Sequence, residues 1–537
     1  MSEFANPRER WLAGLALVGF AMLIAVARLR TYSEPFETDI ACYAVVAREL
    51  LAGKHLYSEV WDIKPPGVFL AYAAALTLAA DDVERAVYLL NCVAAWLTLV
   101  GVYAAAKSVA GRGIGLLAAG CWTLVCGDMR LQANQPNTEV FMNAAHVWAV
   151  ALLLGGVRRY SSANQPIGPY PWNARVIGAG LLVGVAAIFK HVSLALVPPL
   201  TAALVFALLP GVSRRRAIGL SSVFVALVFW AWLVSAIWFA AAGRWFDFRA
   251  TLFDFGIFYA GLGSGGIAEN LLAGFHPGRL FPSAMSAVLP LAILSLVGLV
   301  VWIASRPPSH APGYRFFAML AAYGVGVCLA IMLPGQFYPH YYQLWLPLLC
   351  VAAAAAVAAM ARSATTLHLA NPRILGVVLV ASLVGTQGPA YLLPAEEWSQ
   401  RKYGPVFVEA RNAARKIRRM LQPGETMFVW GQYGGFYIYS GARPASGFFF
   451  LTPLLWSPYA ELHSRRALED LRRTPPELIV EDRRDVPPYP NHPIVRFFHA
   501  AYVPLPKGTL DQDRYRIWYR RGGALAGRHG PEQEGAP

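Results

Sequence analysis

A carboxylate, an aromatic ring and a lysine follow one another in a short polar stretch of this chain: Glu37-Thr38-Asp39, then Tyr43, then Trp61-Asp62-Ile63-Lys64-Pro65-Pro66-Gly67. Displacing a phosphate from the carbon that bears it needs a base to take a proton from the incoming hydroxyl. It also needs positive or hydrogen-bonding groups to receive charge on the departing phosphate. Asp39 is the candidate base, and Lys64, beside the stiff Pro65-Pro66, is the candidate phosphate partner. A structural use competes for Asp39, because aspartate is among the best helix N-caps. Asp62 is either part of the same site or an ion-pair partner of Lys64 in a solvated loop.

Three further places carry groups of the right kind. Glu139, in Gln135-Pro136-Asn137-Thr138-Glu139, stands at the start of a hydrophobic run. An acid there complements a helix dipole, or supplies a second carboxylate that binds an acceptor or, with Asp39, a divalent cation. Lys190 divides two short apolar runs, where a lysine is costly unless it snorkels or faces a polar cavity. Its alternatives are turn formation and phosphate binding. His340 precedes Tyr341 and Tyr342 at the end of another apolar run. Tyrosines at such a depth commonly anchor helices at the interface, and His340 is a candidate site residue. The remaining histidines have no metal-ligand spacing, no HExxH appears, and no glycine-rich phosphate loop supports a nucleotide-linked donor.

These groups must be positioned by a membrane protein. Hydrophobic residues make up 56% of the chain and charged residues 14%, and the mean hydropathy is +0.43. Such values lie far from the soluble average. Apolar segments near 11-29, 86-106, 113-127, 139-157, 176-189, 192-209, 217-242, 281-304, 316-334, 343-361 and 372-389 predict about eleven transmembrane helices. The first segment follows Arg8 and Arg10, has no small-residue cleavage site behind it, and is expected to be a retained helix, not a signal peptide.

Basic residues fall in alternate connections: Arg8 and Arg10, Lys107 and Arg112, Arg158 and Arg159, Arg214 to Arg216, Arg306 and Arg315, Arg362 and Arg373. That alternation predicts an inside N-terminus. Of the sixteen acidic residues before position 395, all but Glu3 and Glu9 then fall on the outer side, where the chemistry is expected. The formal net charge of +15 is accounted for largely by inner-loop cations facing anionic membrane lipids, so no nucleic-acid partner is implied.

The outer loop at 31-85 is expected to hold an interfacial helix at Asp39 to Leu51, ended by Gly53, and a re-entrant or interfacial run at Val68 to Ala80. Residues 1-394 form the expected transmembrane part. A small outer α/β domain is predicted at 395-521, with helical spacing at Glu409 to Leu421 and strand-like runs at Met427 to Trp430, Leu478 to Val480 and Tyr515 to Tyr519. Residues 522-537, rich in Gly, Glu and Pro, are expected to be a disordered tail. The six cysteines contain no CxxC pair, and none lies beyond Cys350, so no zinc site or disulfide framework is indicated.

The ordered motifs together resemble the GT-C membrane glycosyltransferases that use polyprenyl-phosphate sugars. The likeness is to the branch containing dolichyl-phosphate-mannose protein mannosyltransferases and bacterial aminoarabinose transferases of lipid A. It rests on Glu37-Thr38-Asp39 with Tyr43, Ala47, Arg48 and Leu50, on Lys64-Pro65-Pro66-Gly67 and on Gln135 to Glu139. Gly180 to Lys190, Pro339-His340-Tyr341-Tyr342 and Trp430-Gly431-Gln432-Tyr433 extend it. Ile40 and Cys42 stand where some members carry a second acid and an arginine.

The resemblance implies inverting transfer of a hexosyl or pentosyl unit from a polyprenyl phosphate to an acceptor outside a bacterial inner membrane. That acceptor is a lipid A or core glycan of lipopolysaccharide, a polysaccharide, another lipid or a protein. It also implies Asp39 as base, Lys64 and Lys190 at the donor phosphate, and Tyr43, Asp62, Glu139, His340 and Tyr341 as donor- or acceptor-binding residues. The competing classes are a transporter or flippase of a lipid-linked or anionic substrate, and a non-catalytic scaffold. A transport path would place ionisable residues deep in several crossings, where this sequence has few.

Overall fold

The computed structural model describes residues 7-162, 170-209, 212-264, 266-305, 312-367, 371-483, 489-506 and 514-529. The chain forms two compact units. Unit one contains Met1–Tyr32, Val87–Trp238 and Ala260–Pro394; unit two contains Ser33–Ala86, Phe239–Tyr259 and Ala395–Pro537. In chain order the first helices are α1 (Pro7–Leu29), α2 (Thr38–Leu51), α3 (Pro66–Leu78), α4 (Val83–Ala110), α5 (Arg112–Val125), α6 (Thr138–Ser162), α7 (Tyr170–Phe189) and α8 (Val197–Leu208).

Unit one is a helical bundle. Each of the eleven apolar segments is helical, and nine helices among the described residues are long and apolar enough to cross a membrane. The other two, α5 and the apolar part of α7, are shorter. Gly111, at φ 91°, turns the chain sharply between α4 and α5. Exposed large side chains such as Trp11, Leu15, Val18 and Met22 cover α1, as expected of a face meeting lipid. Small residues let helix backbones approach: a Cβ on Gly298 would lie 2.2 Å from that of Ala356 on the facing helix. Arg28, buried near the end of α1, donates from Nη2 to the Cys126 carbonyl at 3.0 Å. Lys190 adopts extended backbone and ends α7, and a 3₁₀ turn at His191–Leu196 leads into α8. That break explains the two short apolar runs. Arg306, one of the expected inner cations, lies outside the described residues.

Unit two is built on a five-stranded sheet of β1 (Thr426–Trp430), β2 (Arg443–Pro444), β3 (Leu478–Asp482), β4 (Tyr502–Pro504) and β5 (Tyr515–Arg520), in the order β2-β1-β3-β5-β4. β1 pairs parallel with β2 and β3, while β5 runs antiparallel to β3 and β4. The helix Val406–Met420 buries Phe407, Ala410, Ala414 and Ile417 on one stripe, as the sequence spacing requires. Ala524–His529 is helical, and residues 530-537 of the expected tail lie outside the described residues.

Within the same unit, α2 is enclosed along most of its length. Ile40, Ala41, Cys42, Tyr43, Val45 and Val46 are all buried. Its Glu49 is fully covered yet paired, with Lys54 at 2.8 Å and with Arg443 through Nε at 3.0 Å and Nη2 at 2.6 Å.

Candidate active site

In unit two, Glu37 caps α2, its carboxylate accepting from the Ile40 amide at 3.3 Å. Asp39 therefore occupies the first turn of α2 and is not the cap itself. Its Oδ2 lies 3.5 Å from Lys64 Nζ, and the Lys64 ammonium sits 5.9 Å from the centre of the Tyr43 ring. Tyr43 is buried, with edge-on contacts to Phe69 and Tyr72 at 5.9 and 5.6 Å between centroids.

Several bonds hold Lys64 in place. Its amide donates to Asp62 Oδ1 at 3.1 Å, and its carbonyl accepts from the Tyr57 hydroxyl at 2.8 Å. Pro65 and Pro66 then start α3, where a missing amide proton costs nothing. Beside them, Trp61 donates from Nε1 to Thr251 Oγ1 at 3.1 Å, and its amide reaches the Gly447 carbonyl at 3.1 Å. A Cβ at Gly447 would fall 2.1 Å from the Glu59 carbonyl oxygen, so only glycine permits that approach.

The Trp430-Gly431-Gln432-Tyr433 segment bears on the same place. Tyr433 donates its hydroxyl to the Phe36 carbonyl at 2.8 Å, while the Phe36 amide donates to Tyr439 Oη at 2.8 Å. Both ends of the Phe36 peptide are thus fixed just before α2. Ile40 and Cys42 are buried, and loss of solvation, with Asp62 and Asp39 nearby, pushes the Cys42 thiol up. An acid at position 40 would be fully covered, whereas the surroundings of Cys42 include the carboxyls of Asp62, Asp39 and Glu37.

Asp62 is 4% exposed. Burial pushes its carboxyl up to about 7, with Lys64 opposing and Asp39 adding to the rise. Glu37 is pushed up to about 8, first by lost solvation and then by the Asp39 charge. Since the folded Asp62 holds its proton more tightly than the ordinary 3.8, its contribution to stability is fully present below about pH 3.8 and is lost as pH rises through about 7. Asp62→Asn removes this titration while keeping an acceptor for the Lys64 amide. Its unfolding temperature relative to wild type should therefore rise between pH 4 and pH 8. Thermal unfolding in detergent at the two pH values checks this, and an unchanged difference would contradict it.

Unit one brings together the other four sequence-predicted residues. Glu139, buried in the first turn of α6, accepts from Lys190 Nζ at 2.6 Å. The same ammonium stands 3.6 Å from the centre of the Tyr341 ring, a close cation–π contact. Tyr341 meets the His340 ring edge-on at 4.8 Å, and Tyr338 stacks on His340 at 5.6 Å. His340 Nδ1 lies 3.3 Å from Gln132 Oε1. Tyr342 is also buried, and its hydroxyl reaches the Arg279 carbonyl.

Residues not singled out from the sequence complete this cluster. Gln132, at the left-handed φ of 56°, accepts through its carbonyl from Gln343 Nε2 at 3.3 Å. Asn143 Nδ2 donates to the Gln343 carbonyl at 3.0 Å. Asp128 accepts from the Leu131 amide at 2.7 Å and from Gln387 Nε2 at 2.6 Å, holding the turn that presents Gln132. No group of three or more His, Cys, Asp or Glu side chains is disposed to hold a metal among the described residues.

Residues 63–238 match the family model of the dolichyl-phosphate-mannose-protein mannosyltransferases. No curated protein sequence matches the chain at a significant level. Among solved structures, ArnT from Cupriavidus metallidurans in the apo state is similar at 13% identity and a TM-score of 0.59, over 98% of this chain and 100% of that one. The same protein bound to undecaprenyl phosphate gives 15% identity and a TM-score of 0.56, over 97% and 99%. The archaeal oligosaccharyltransferase AglB from Archaeoglobus fulgidus, in complex with an inhibitory peptide and a dolichol-phosphate, gives 14% identity and a TM-score of 0.54, over 89% and 70%. The polytopic GT-C-like fold expected from the sequence is thus the fold of this chain.

Proposed function

We propose that this protein is an integral membrane glycosyltransferase that moves a sugar from a polyprenyl phosphate to a hydroxyl acceptor. The observation that carries the reading is the Asp39–Lys64 pair, a carboxylate and an ammonium 3.5 Å apart on two rigid helix starts. The fold it shares with a protein solved bound to undecaprenyl phosphate supports the donor class. Asp39 takes the acceptor hydroxyl proton as the acceptor oxygen bonds to the anomeric carbon. The bond from that carbon to the lipid phosphate oxygen breaks, and the ammonium of Lys64 stabilises the charge on the leaving phosphate. Attack from the side opposite the leaving group inverts the anomeric configuration.

Tyr43 and Asp62 fix and tune this pair. In the other unit, Glu139, Lys190, His340 and Tyr341 make a second polar cluster suited to a phosphate or a sugar, with the Lys190 charge shared between Glu139 and the Tyr341 face. The location that fits the sequence is a bacterial inner membrane, with the chemistry on the outer face and a cell-envelope glycan, lipid or protein as acceptor.

The purified protein should carry a polyprenyl phosphate or its sugar adduct, visible by native mass spectrometry. Lys64→Ala should reduce that adduct and raise the donor KM roughly tenfold or more, as expected for loss of a charge-assisted phosphate contact. Unchanged donor affinity in this variant would remove Lys64 from the phosphate site.

A further inference from the structure

A cavity of about 1100 Å³ opens among the ends of α1, α4, α5, α6 and α7 in unit one. Arg10 near the start of α1, Lys107 at the end of α4, Arg112 at the start of α5, Arg158 and Arg159 near the end of α6, and Arg175 in α7 line it. Glu9 is the one carboxylate among the described lining residues, and it pairs with Arg112 at 2.9 Å.

Two of the cations also donate to carbonyl oxygens. The Arg158 guanidinium donates to the Lys107 carbonyl, and Arg175 Nη1 to the Leu152 carbonyl at 3.2 Å. Carbonyls orient a guanidinium without cancelling its charge. Gly155 shapes the same wall, since a Cβ there would sit 2.3 Å from Arg175 Nη1. The fold therefore makes room for a cation beside the cavity, and six cations to one carboxylate among the described lining residues surround a space larger than one phosphate requires.

Apart from Tyr103 and Ser108, the remaining wall is apolar. Leu17, Trp148 and Leu152 line it, and the neighbouring surface of α1 is a lipid-facing face of exposed large side chains. A free anion would use only the charged part, whereas a lipid would use both. We propose that this cavity binds the phosphate headgroup of an anionic phospholipid, its acyl chains lying along α1.

The site is separate from the Glu139–Lys190 cluster. Glu139 and Arg158 stand nineteen residues apart on the one helix α6, about 28 Å at the helical rise. By the distribution of basic connections the cavity faces the inner leaflet, where anionic headgroups are available.

The full-length protein in detergent would be titrated with phosphatidylglycerol, with phosphatidylcholine of the same chains, and with inorganic phosphate, and bound lipid read by native mass spectrometry. Phosphatidylglycerol should bind at least tenfold more tightly than phosphatidylcholine. The double variant Arg158→Gln, Arg159→Gln should weaken it about tenfold or more, and the loop variant Arg214→Gln, Arg215→Gln should not. Arg10→Gln, at an exposed helix start, should give a smaller loss in the same direction and serves if the double variant fails to fold. Equal binding of the two lipids, or unaltered phosphatidylglycerol binding in the folded cavity variants, would overturn the proposal. Displacement of the lipid by equimolar inorganic phosphate would also overturn it, identifying a free-anion site instead.

Discussion

Asp39→Asn is expected to lower the transfer rate by about 10²- to 10⁴-fold, the range typical for removal of a general base. The substitution keeps the size of the side chain and its place in the first turn of α2, and the helix cap belongs to Glu37, not to Asp39. Folding should therefore be preserved, with the unfolding temperature close to wild type. Lys64 loses its carboxylate neighbour at 3.5 Å but keeps the Asp62 and Tyr57 bonds to its backbone. A transfer assay with a defined lipid-linked donor and acceptor reads the result. Wild-type turnover by Asp39→Asn would exclude it as the base, and loss of both turnover and donor binding would point to a positioning role.

The second large effect concerns stability. Lys190→Met removes the ammonium that Glu139 accepts from at 2.6 Å and that lies 3.6 Å from the Tyr341 ring. Both partners are buried, so Glu139 is left as a covered carboxylate without that cation, at a cost of about 3–5 kcal/mol. The double variant Glu139→Gln, Lys190→Met should recover much of that loss, since replacing both members of a buried pair is far cheaper than removing one. Thermal unfolding of wild type and the single and double variants in detergent closes the cycle. Additive losses would mean that the two side chains are not energetically coupled.

Much of this arrangement is legible in the sequence because its cause is local. Eleven apolar runs become helices because backbone groups in lipid must be satisfied within a segment. Lys64 beside Pro65-Pro66 announces a rigid helix start, and strands β1, β3 and β5 show β-branched and aromatic residues in short runs. The strands that escape notice are β2 and β4, two and three residues long, which exist only because a neighbour supplies their hydrogen bonds.

The parts of the candidate site that are not legible are those made by distance along the chain. Glu139 and Lys190 are fifty-one residues apart, and nothing in either segment names the other. Gln132 enters through a left-handed turn held by Asp128 and Gln387, a contact spanning 259 residues. The capping role of Glu37 was hidden for another reason: two acids flank Thr38, and only the backbone path decides which one meets the Ile40 amide.

The pairing of Glu49 with Arg443 has a biosynthetic meaning. The two residues are separated by 394 positions, and the Phe36 peptide is held by Tyr433 and Tyr439, 397 and 403 positions later. At ribosomal rates of about 5–20 residues per second, roughly 20–80 s separate the synthesis of α2 from that of the residues that enclose it. Throughout that interval α2 can pack Tyr43 against Phe69 and Tyr72 and pair Glu49 with Lys54, but it lacks Arg443 and the tyrosines that fix Phe36 at its start. The early loop thus completes its contacts only after the segment from Tyr433 to Arg443 has been made. A chain cut short before Tyr433 would lack the partners that fix Phe36 and Glu49, which ties completion of the candidate site to late synthesis.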